Sequence, residues 1–276
     1  MGKKTPSILY FIRFTFNICD IFLPRLASKW AINLFLTPRS APFTKKGLKL
    51  LEDAETFEIV ANDKSMKAYR MGSGPEVVCI HGWAGKSIQF TDIAYALTKA
   101  GYTFIAVDVW AHGNSDGVDA SMFDFAAATK VLVENSENVA CVIGHSLGAA
   151  SVSLSVYDGL TIPRFIAMGA PSLPNDILDS FRKIIQAPER INQVIKDACL
   201  EVFNRDFDEI AMTNTIRSMS CPVLAIHGED DFDVGIFHLD ALISVKSDIV
   251  SIRVPRLGHR RILKDPEVIE RIIEFI

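Results

Sequence analysis

The run Val139-Ala140-Cys141-Val142-Ile143-Gly144-His145-Ser146-Leu147-Gly148-Ala149-Ala150-Ser151 contains three successive signals. An apolar β-rich stretch comes first, a G-x-S-x-G follows, and small residues then open a helix. A pentapeptide of this kind arises by chance; a strand before it and a helix after it are what a nucleophile elbow requires. There the serine sits on a sharp strand-to-helix turn whose strained backbone tolerates little beyond glycine on either side. The turn lifts the hydroxyl out of the sheet and sets it at a helix N-terminus, which favours developing negative charge.

Short β-rich runs alternate with helical stretches on both sides of this motif, the pattern of a mainly parallel α/β sheet. Strands are expected at 57–60, 66–71, 77–81, 103–109, 139–144, 164–169, 223–227 and 249–254, with helices at 87–99, 121–135, 147–157, 236–244 and 266–275. Residues 171–220 break the alternation. Pro171 and Pro174 open the segment, Cys221-Pro222 closes it, and Ile177, Leu178, Phe181, Ile184 and Ile185 recur at helical spacing within it. The expected organisation is a basic amphipathic helical extension at 1–50, an α/β core at 51–170 and 221–276, and a helical cap at 171–220.

A serine hydroxyl is a poor nucleophile at neutral pH and needs a base, which in turn needs an orienting acid. On such an elbow the acid and then the histidine follow the serine in the chain. Three histidines lie downstream. His227 ends a strand, His238 falls in a helical stretch, and His259, in Leu257-Gly258-His259, follows a strand on a loop from which a base could reach the serine. The acid is expected from Gly228-Glu229-Asp230-Asp231-Phe232-Asp233-Val234, where spacing favours Asp231, then Asp230. An EF-hand reading of this loop fails because position twelve from Asp231 is Leu242 instead of Glu. An oxyanion site needs two backbone N–H donors; Leu147 supplies one, and Trp83, in His81-Gly82-Trp83-Ala84-Gly85 after an apolar strand, is the candidate for the other. Gly72-Ser73-Gly74 leads into a strand, so it reads as a turn and not a dinucleotide fingerprint. His112 is expected to shape its loop. No Walker A, HExxH or paired Cys/His spacing occurs, and neither a metal nor a cofactor is expected.

Composition sets the outer bounds. Half of the 276 residues (49%) are apolar and 22% are charged, enough for a sizeable core without disulfides. A net charge of −4 argues against nucleic acid as the partner. Five scattered cysteines without a C-x-x-C read as buried thiols of a reducing compartment. The charge is uneven. Residues 1–50 hold nine Lys/Arg against Asp20 alone, a net of +8; the remaining twenty Lys/Arg (29 less 9) and thirty-two Asp/Glu (33 less 1) give −12. Residues 8–36 are very apolar, yet Arg13, Asp20, Arg25 and Lys29 leave no charge-free stretch long enough to span a bilayer. Pro6 spoils a myristoylation motif, and no clear signal-peptide cleavage site follows. Arg13, Asn17 and Asp20 form one narrow polar stripe; after Pro24, Arg25, Lys29 and Asn33 form another. The helix after Pro24 is expected to dock on the body, and residues 8–23 to be the mobile or membrane-facing part of a cytoplasmic enzyme.

His81-Gly82-Trp83, Asp108 with Gly113-Asn114-Ser115, Gly144–Gly148, Gly228–Val234 and Gly258-His259 together resemble the α/β-hydrolase superfamily over about residues 55–276. The run from Gly258 to Leu263 is similar to a bacterial subgroup of undefined substrate. The resemblance implies an eight-stranded, mostly parallel sheet flanked by helices, with a helical cap inserted between strands 6 and 7. It also implies a Ser146–Asp231–His259 triad acting without a cofactor on a small-molecule acyl substrate, a carboxylic ester or thioester, through an acyl-enzyme. Phe181 and Ile185 of the cap are expected to line the acyl pocket. Dehalogenases and epoxide hydrolases of the superfamily place Asp where Ser146 stands. A low-turnover ligand-binding or sensing protein, or a cofactor-free lyase or perhydrolase, are the alternatives on the same fold.

Overall fold

In the computed structural model, which describes residues 7–39 and 41–276, the β-rich runs form one eight-stranded sheet. Its strands are β1 (Glu55–Ala61), β2 (Lys64–Gly72), β3 (Glu76–Ile80), β4 (Thr103–Val107), β5 (Val139–His145), β6 (Phe165–Met168), β7 (Val223–Gly228) and β8 (Val250–Val254), in the order β1-β2-β4-β3-β5-β6-β7-β8. Only β2 runs against its neighbours, pairing antiparallel with β1 and β4; every other pair is parallel. This is the expected sheet, strand for strand. The helices are α1 (Ser7–Phe22), α2 (Pro24–Leu36), α3 (Lys45–Asp53), α4 (Thr91–Lys99), α5 (Met122–Glu134), α6 (Leu147–Tyr157), α7 (Pro174–Ile185), α8 (Arg190–Phe203), α9 (Met212–Thr215), α10 (Phe237–Val245) and α11 (Pro266–Phe275). In chain order, α7 and α8 fall between β6 and β7.

The central strands are buried on both faces, which is why their sequences are continuous apolar runs and do not alternate. Successive side chains still divide between the faces. Val78 and Ile80 enter a core built with Phe125 and Leu132 of α5 and Val152 of α6. Val77 and Cys79 enter the opposite core, with Ile93 and Leu97 of α4 and Val268 and Ile272 of α11. The outer strand β8 keeps an alternating, partly exposed pattern. Local signals set the helix starts: Ser121 and Asp124 form a capping box on α5, and Asp265 caps α11 with Pro266 in its first turn.

The chain divides into two units. One comprises Met1–Thr37 and Leu173–Ala211, the other Pro38–Ser172 and Met212–Ile276. In the first, α1, α2, α7 and α8 share a core of Ile12, Phe16, Ala27, Ala31, Leu178, Ile185 and Ile191. The second is the sheet with its flanking helices. The basic head therefore divides: α3 belongs with the sheet, where Leu50 is buried beside Phe90, Ile93 and Leu97. The segment from Met212 onward also belongs there, since Met212 and Ile216 are buried with Ala149 and Val152. Charge composition describes a surface, whereas these boundaries follow contacts.

Candidate active site

Ser146 stands between β5 and α6 at φ 53°, ψ −125°, a backbone region that costs a non-glycine residue about 1–3 kcal/mol and persists only where its surroundings hold it. The flanking glycines make the turn fit. A Cβ on Gly144 would meet the Ala149 Cα at 2.5 Å, and one on Gly148 would meet the Ile80 carbonyl oxygen at 2.2 Å. Gly82, on the loop after β3, leaves room for Ser146 itself, because a Cβ there would meet the serine Cβ at 2.8 Å. The Ser146 N–H donates to the Met168 carbonyl at 2.9 Å, tying the turn to the end of β6.

Of the acids after β7, Asp231 is buried, whereas Glu229, Asp230 and Asp233 are exposed. Its Oδ2 lies 2.7 Å from His259 Nδ1. Its Oδ1 accepts the N–H groups of Asp233 at 3.0 Å and Val234 at 2.8 Å, so the loop closes around one carboxylate oxygen and aims the other at the imidazole. Burial alone would raise the carboxyl pKa. The His259 hydrogen bond and charge, the Val234 N–H and the nearby His227 outweigh it and hold the group below its usual value. An ionised carboxylate only accepts, so His259 Nδ1 carries the proton and Nε2 keeps a lone pair. Among the described residues, Ser146 Oγ makes no hydrogen bond to His259; such pairs commonly close only when substrate arrives.

The two N–H groups expected to serve an oxyanion, those of Leu147 and Trp83, are both without a protein acceptor among the described residues. Leu147 is the first residue of α6, so its N–H has no acceptor within the helix. Among the described residues, the Trp83 N–H has no backbone or side-chain acceptor. The Trp83 loop is held from beneath by two histidines. His81 Nε2 accepts the Val109 N–H at 3.1 Å, so its Nδ1–H donates to the Gly82 carbonyl at 2.8 Å. His112 Nε2 accepts the Ala84 N–H at 3.2 Å, so its Nδ1–H donates to the Trp110 carbonyl at 2.9 Å. Burial pushes both imidazoles below their usual pKa, which keeps the acceptor nitrogens unprotonated. Asp108, buried after β4, accepts the Ser87 N–H at 2.7 Å, the Ser87 hydroxyl at 2.6 Å and the Asn114 N–H at 2.8 Å, fixing the loops after β3 and β4 to each other.

Two more histidines surround the Asp231–His259 pair, and neither was singled out from the sequence for that position. His145 Nε2–H donates to the His259 carbonyl at 2.9 Å, with the two rings 4.6 Å apart. Burial first, and then the His259 charge, push its pKa down to about 3. His227 Nε2–H donates to the Val234 carbonyl at 2.8 Å and lies 3.5 Å from Asp231 Oδ2. The usable signal for His145 was its place inside the G-x-S-x-G; His227 offered only its strand-end position. Ile185, expected to line an acyl pocket with Phe181, lies in the core of the helical unit, and Phe181 packs against it. Ile185 is 4% exposed there, and the Phe181 ring meets Phe35 edge-on at 5.1 Å. Leu178, Phe181 and Ile185 of α7 pack with the N-terminal helices, a partner that helical spacing does not reveal, while Ile184 of the same stripe stays 52% exposed.

An eight-stranded, mostly parallel sheet with a serine on its β5 elbow, an acid after β7 and a histidine after β8 defines the α/β-hydrolase class. The sequence matches the alpha/beta hydrolase family over residues 77–272, and the chain belongs to that family. Among curated relatives, it is 33% identical over 84 residues to the pimeloyl-(acyl-carrier protein) methyl ester esterase of Shewanella woodyi. That match spans 30% of this chain and 31% of that enzyme, so the chain spans under a third of the relative's length. Among solved structures, an esterase of Pyrococcus furiosus superposes with a TM-score of 0.65 at 21% identity, covering 87% of this chain and 96% of that one. Est1E of Butyrivibrio proteoclasticus, with ferulic acid bound, gives 0.63 at 19% identity over 79% and 97%. At these identities the structural likeness shows the fold alone.

Proposed function

We propose that this protein hydrolyses a carboxylic ester or thioester through an acyl-enzyme on Ser146. The observation that carries the reading is the 2.7 Å contact between His259 Nδ1 and the buried Asp231 carboxylate, on loops of the same sheet as the serine elbow. It fixes the tautomer whose Nε2 can take the Ser146 proton as the hydroxyl attacks the acyl carbon. The carboxylate then stabilises the imidazolium, which returns the proton to the leaving alcohol or thiol. The N–H groups of Trp83 and Leu147 receive the oxyanion. Water, activated by the same histidine, releases the acid and restores the serine. The preference for an ester over other acyl bonds is supported by the similarity to the methyl ester esterase of Shewanella woodyi.

The test is turnover of p-nitrophenyl esters and acyl thioesters of increasing chain length by the wild type and by Ser146→Ala. Hydrolysis that follows chain length and disappears in the variant supports the reading. Absence of turnover on every substrate would favour a ligand-binding role for the same fold.

A further inference from the structure

α1 docks by its most polar side. Ile12 and Phe16 enter the core of the helical unit, and Arg13 and Asp20 turn the same way, while Asn17 is exposed. Arg13 Nε donates to the Ile184 carbonyl at 2.8 Å. Asp20 pairs with Arg190, which also donates to the Ser28 hydroxyl at 3.2 Å. The opposite side carries Tyr10, Phe11, Phe14, Ile18, Ile21 and Phe22, exposed by 44 to 74%. Their spacing places them on one face about 20 Å long. At 150–250 Å² for a large side chain, the bare area is roughly 700 Å², beyond the largest apolar patch of a typical monomer. A helix that serves only to pack turns this face inward.

We infer that the exposed face of α1 lies in the interface of an anionic lipid bilayer. The charge complements that occupant. Residues 1–37 hold Lys3, Lys4, Arg13, Arg25 and Lys29 against Asp20 alone, a net of +4, so the rest of the chain carries −8. Asp20 is already neutralised by Arg190, while Arg25 and Lys29, in the turns that follow the aromatic face, are exposed. Insertion across the membrane is not the mode, since no described helix is long and apolar enough to cross one. A helix held in the interface plane buries its aromatic face at the level of the headgroups and acyl chains, while basic residues meet the anionic headgroups. A second copy fits less well, because pairing two such faces brings two basic heads together.

The full-length chain is sedimented with vesicles of equal parts phosphatidylglycerol and phosphatidylcholine, and with phosphatidylcholine alone, at low and high salt. The wild type should pellet with the anionic vesicles, and salt should weaken that binding. Phe11→Ser with Phe14→Ser, at exposed positions, should lower the bound fraction about tenfold while leaving the circular dichroism spectrum and melting temperature unchanged. Arg25→Glu with Lys29→Glu should reduce binding and flatten its salt dependence. A wild type that stays in the supernatant, or a serine variant that pellets as well as the wild type, would overturn the inference. So would light scattering that shows a dimer broken by the serine variant without vesicle binding.

Discussion

The sheet unit keeps His81, His112, His145, His227 and His238 at most 2% exposed, whereas the helical unit leaves Phe11, Phe14, Ile21 and Phe22 at least 63% exposed. The two units thus depart from hydrophobic sorting in opposite directions: one buries groups that water would hold, the other exposes groups that water rejects. Each departure costs stability unless something offsets it, and buried polar groups and large bare apolar patches are the informative exceptions to ordinary burial. In the sheet unit hydrogen bonds of His81, His112, His145 and His227 to the backbone supply most of the offset, although His145 Nδ1 is left buried without a partner among the described residues. In the helical unit no described element covers the α1 face, and a membrane would supply it.

The comparison breaks first at the serine. Ser146→Ala should lower ester hydrolysis roughly 10³- to 10⁶-fold with the fold intact, measured by steady-state kinetics beside circular dichroism. Asp231→Asn should cost roughly 10²- to 10⁴-fold, because it releases the His259 tautomer. Asp230→Asn and Asp233→Asn, on exposed side chains of the same loop, should stay within about twofold. A severe effect at Asp230 would transfer the orienting role to it.

Acid should separate the buried histidines from ordinary ones. His81, His112, His145 and His227 are all held below the usual imidazole pKa, by burial first in every case. The unfolded chain takes up a proton on each near pH 6.5, and the folded sheet unit does not. Their contribution to stability is therefore complete above about pH 6.5. It is lost as the pH falls towards the folded values, about 3 for His145, at up to ~1.4 kcal/mol per pH unit for each site. The lowered Asp231 carboxyl adds a loss below about pH 4, as it protonates. Urea midpoints should drop steadily from pH 7 to pH 4, and less steeply in His145→Gln. A flat midpoint over that range would contradict the burial of neutral imidazoles.

The two sides of α1 should differ in the same way. Phe16→Ala, in the core of the helical unit, should cost that unit about 3–5 kcal/mol. Phe14→Ser, two residues away on the open face, should change stability by less than about 0.5 kcal/mol. Chemical denaturation followed by Trp30 fluorescence, with Trp83→Phe and Trp110→Phe in the sheet unit, reports on this unit, since the Trp30 ring lies 5.7 Å from Phe16.

The sequence-level reading succeeded where one local pattern has one structural solution. The run into Gly144–Gly148 admits only a strand, a sharp turn and a helix, and the eight β-rich runs became the eight strands in their expected places. Asp231 could be preferred over Asp230 from spacing, but only the closed loop distinguishes a carboxylate that receives the Val234 N–H from one left in solvent. The histidines beneath the Trp83 loop were individually visible, yet their roles depend on strands that are distant in sequence, as when His81 reaches Val109. The amphipathic helices failed most instructively. A stripe at 3.6-residue spacing shows that a face exists and not what it meets, and Ile185 lies in one core with Ile12 and Phe16. The polar stripe of α1 likewise divides, since Arg13 and Asp20 bond within the unit while Asn17 is exposed.

Site-specific labelling tests the central claim most directly. The wild-type chain, incubated with a fluorophosphonate and examined by intact mass and peptide mapping, should carry a single adduct on Ser146. Asp231→Asn should label far more slowly, and Ser146→Ala should not label at all. An adduct elsewhere in the chain, or equal labelling of the wild type and Ser146→Ala, would contradict the assignment of Ser146 as the nucleophile that His259 and Asp231 activate.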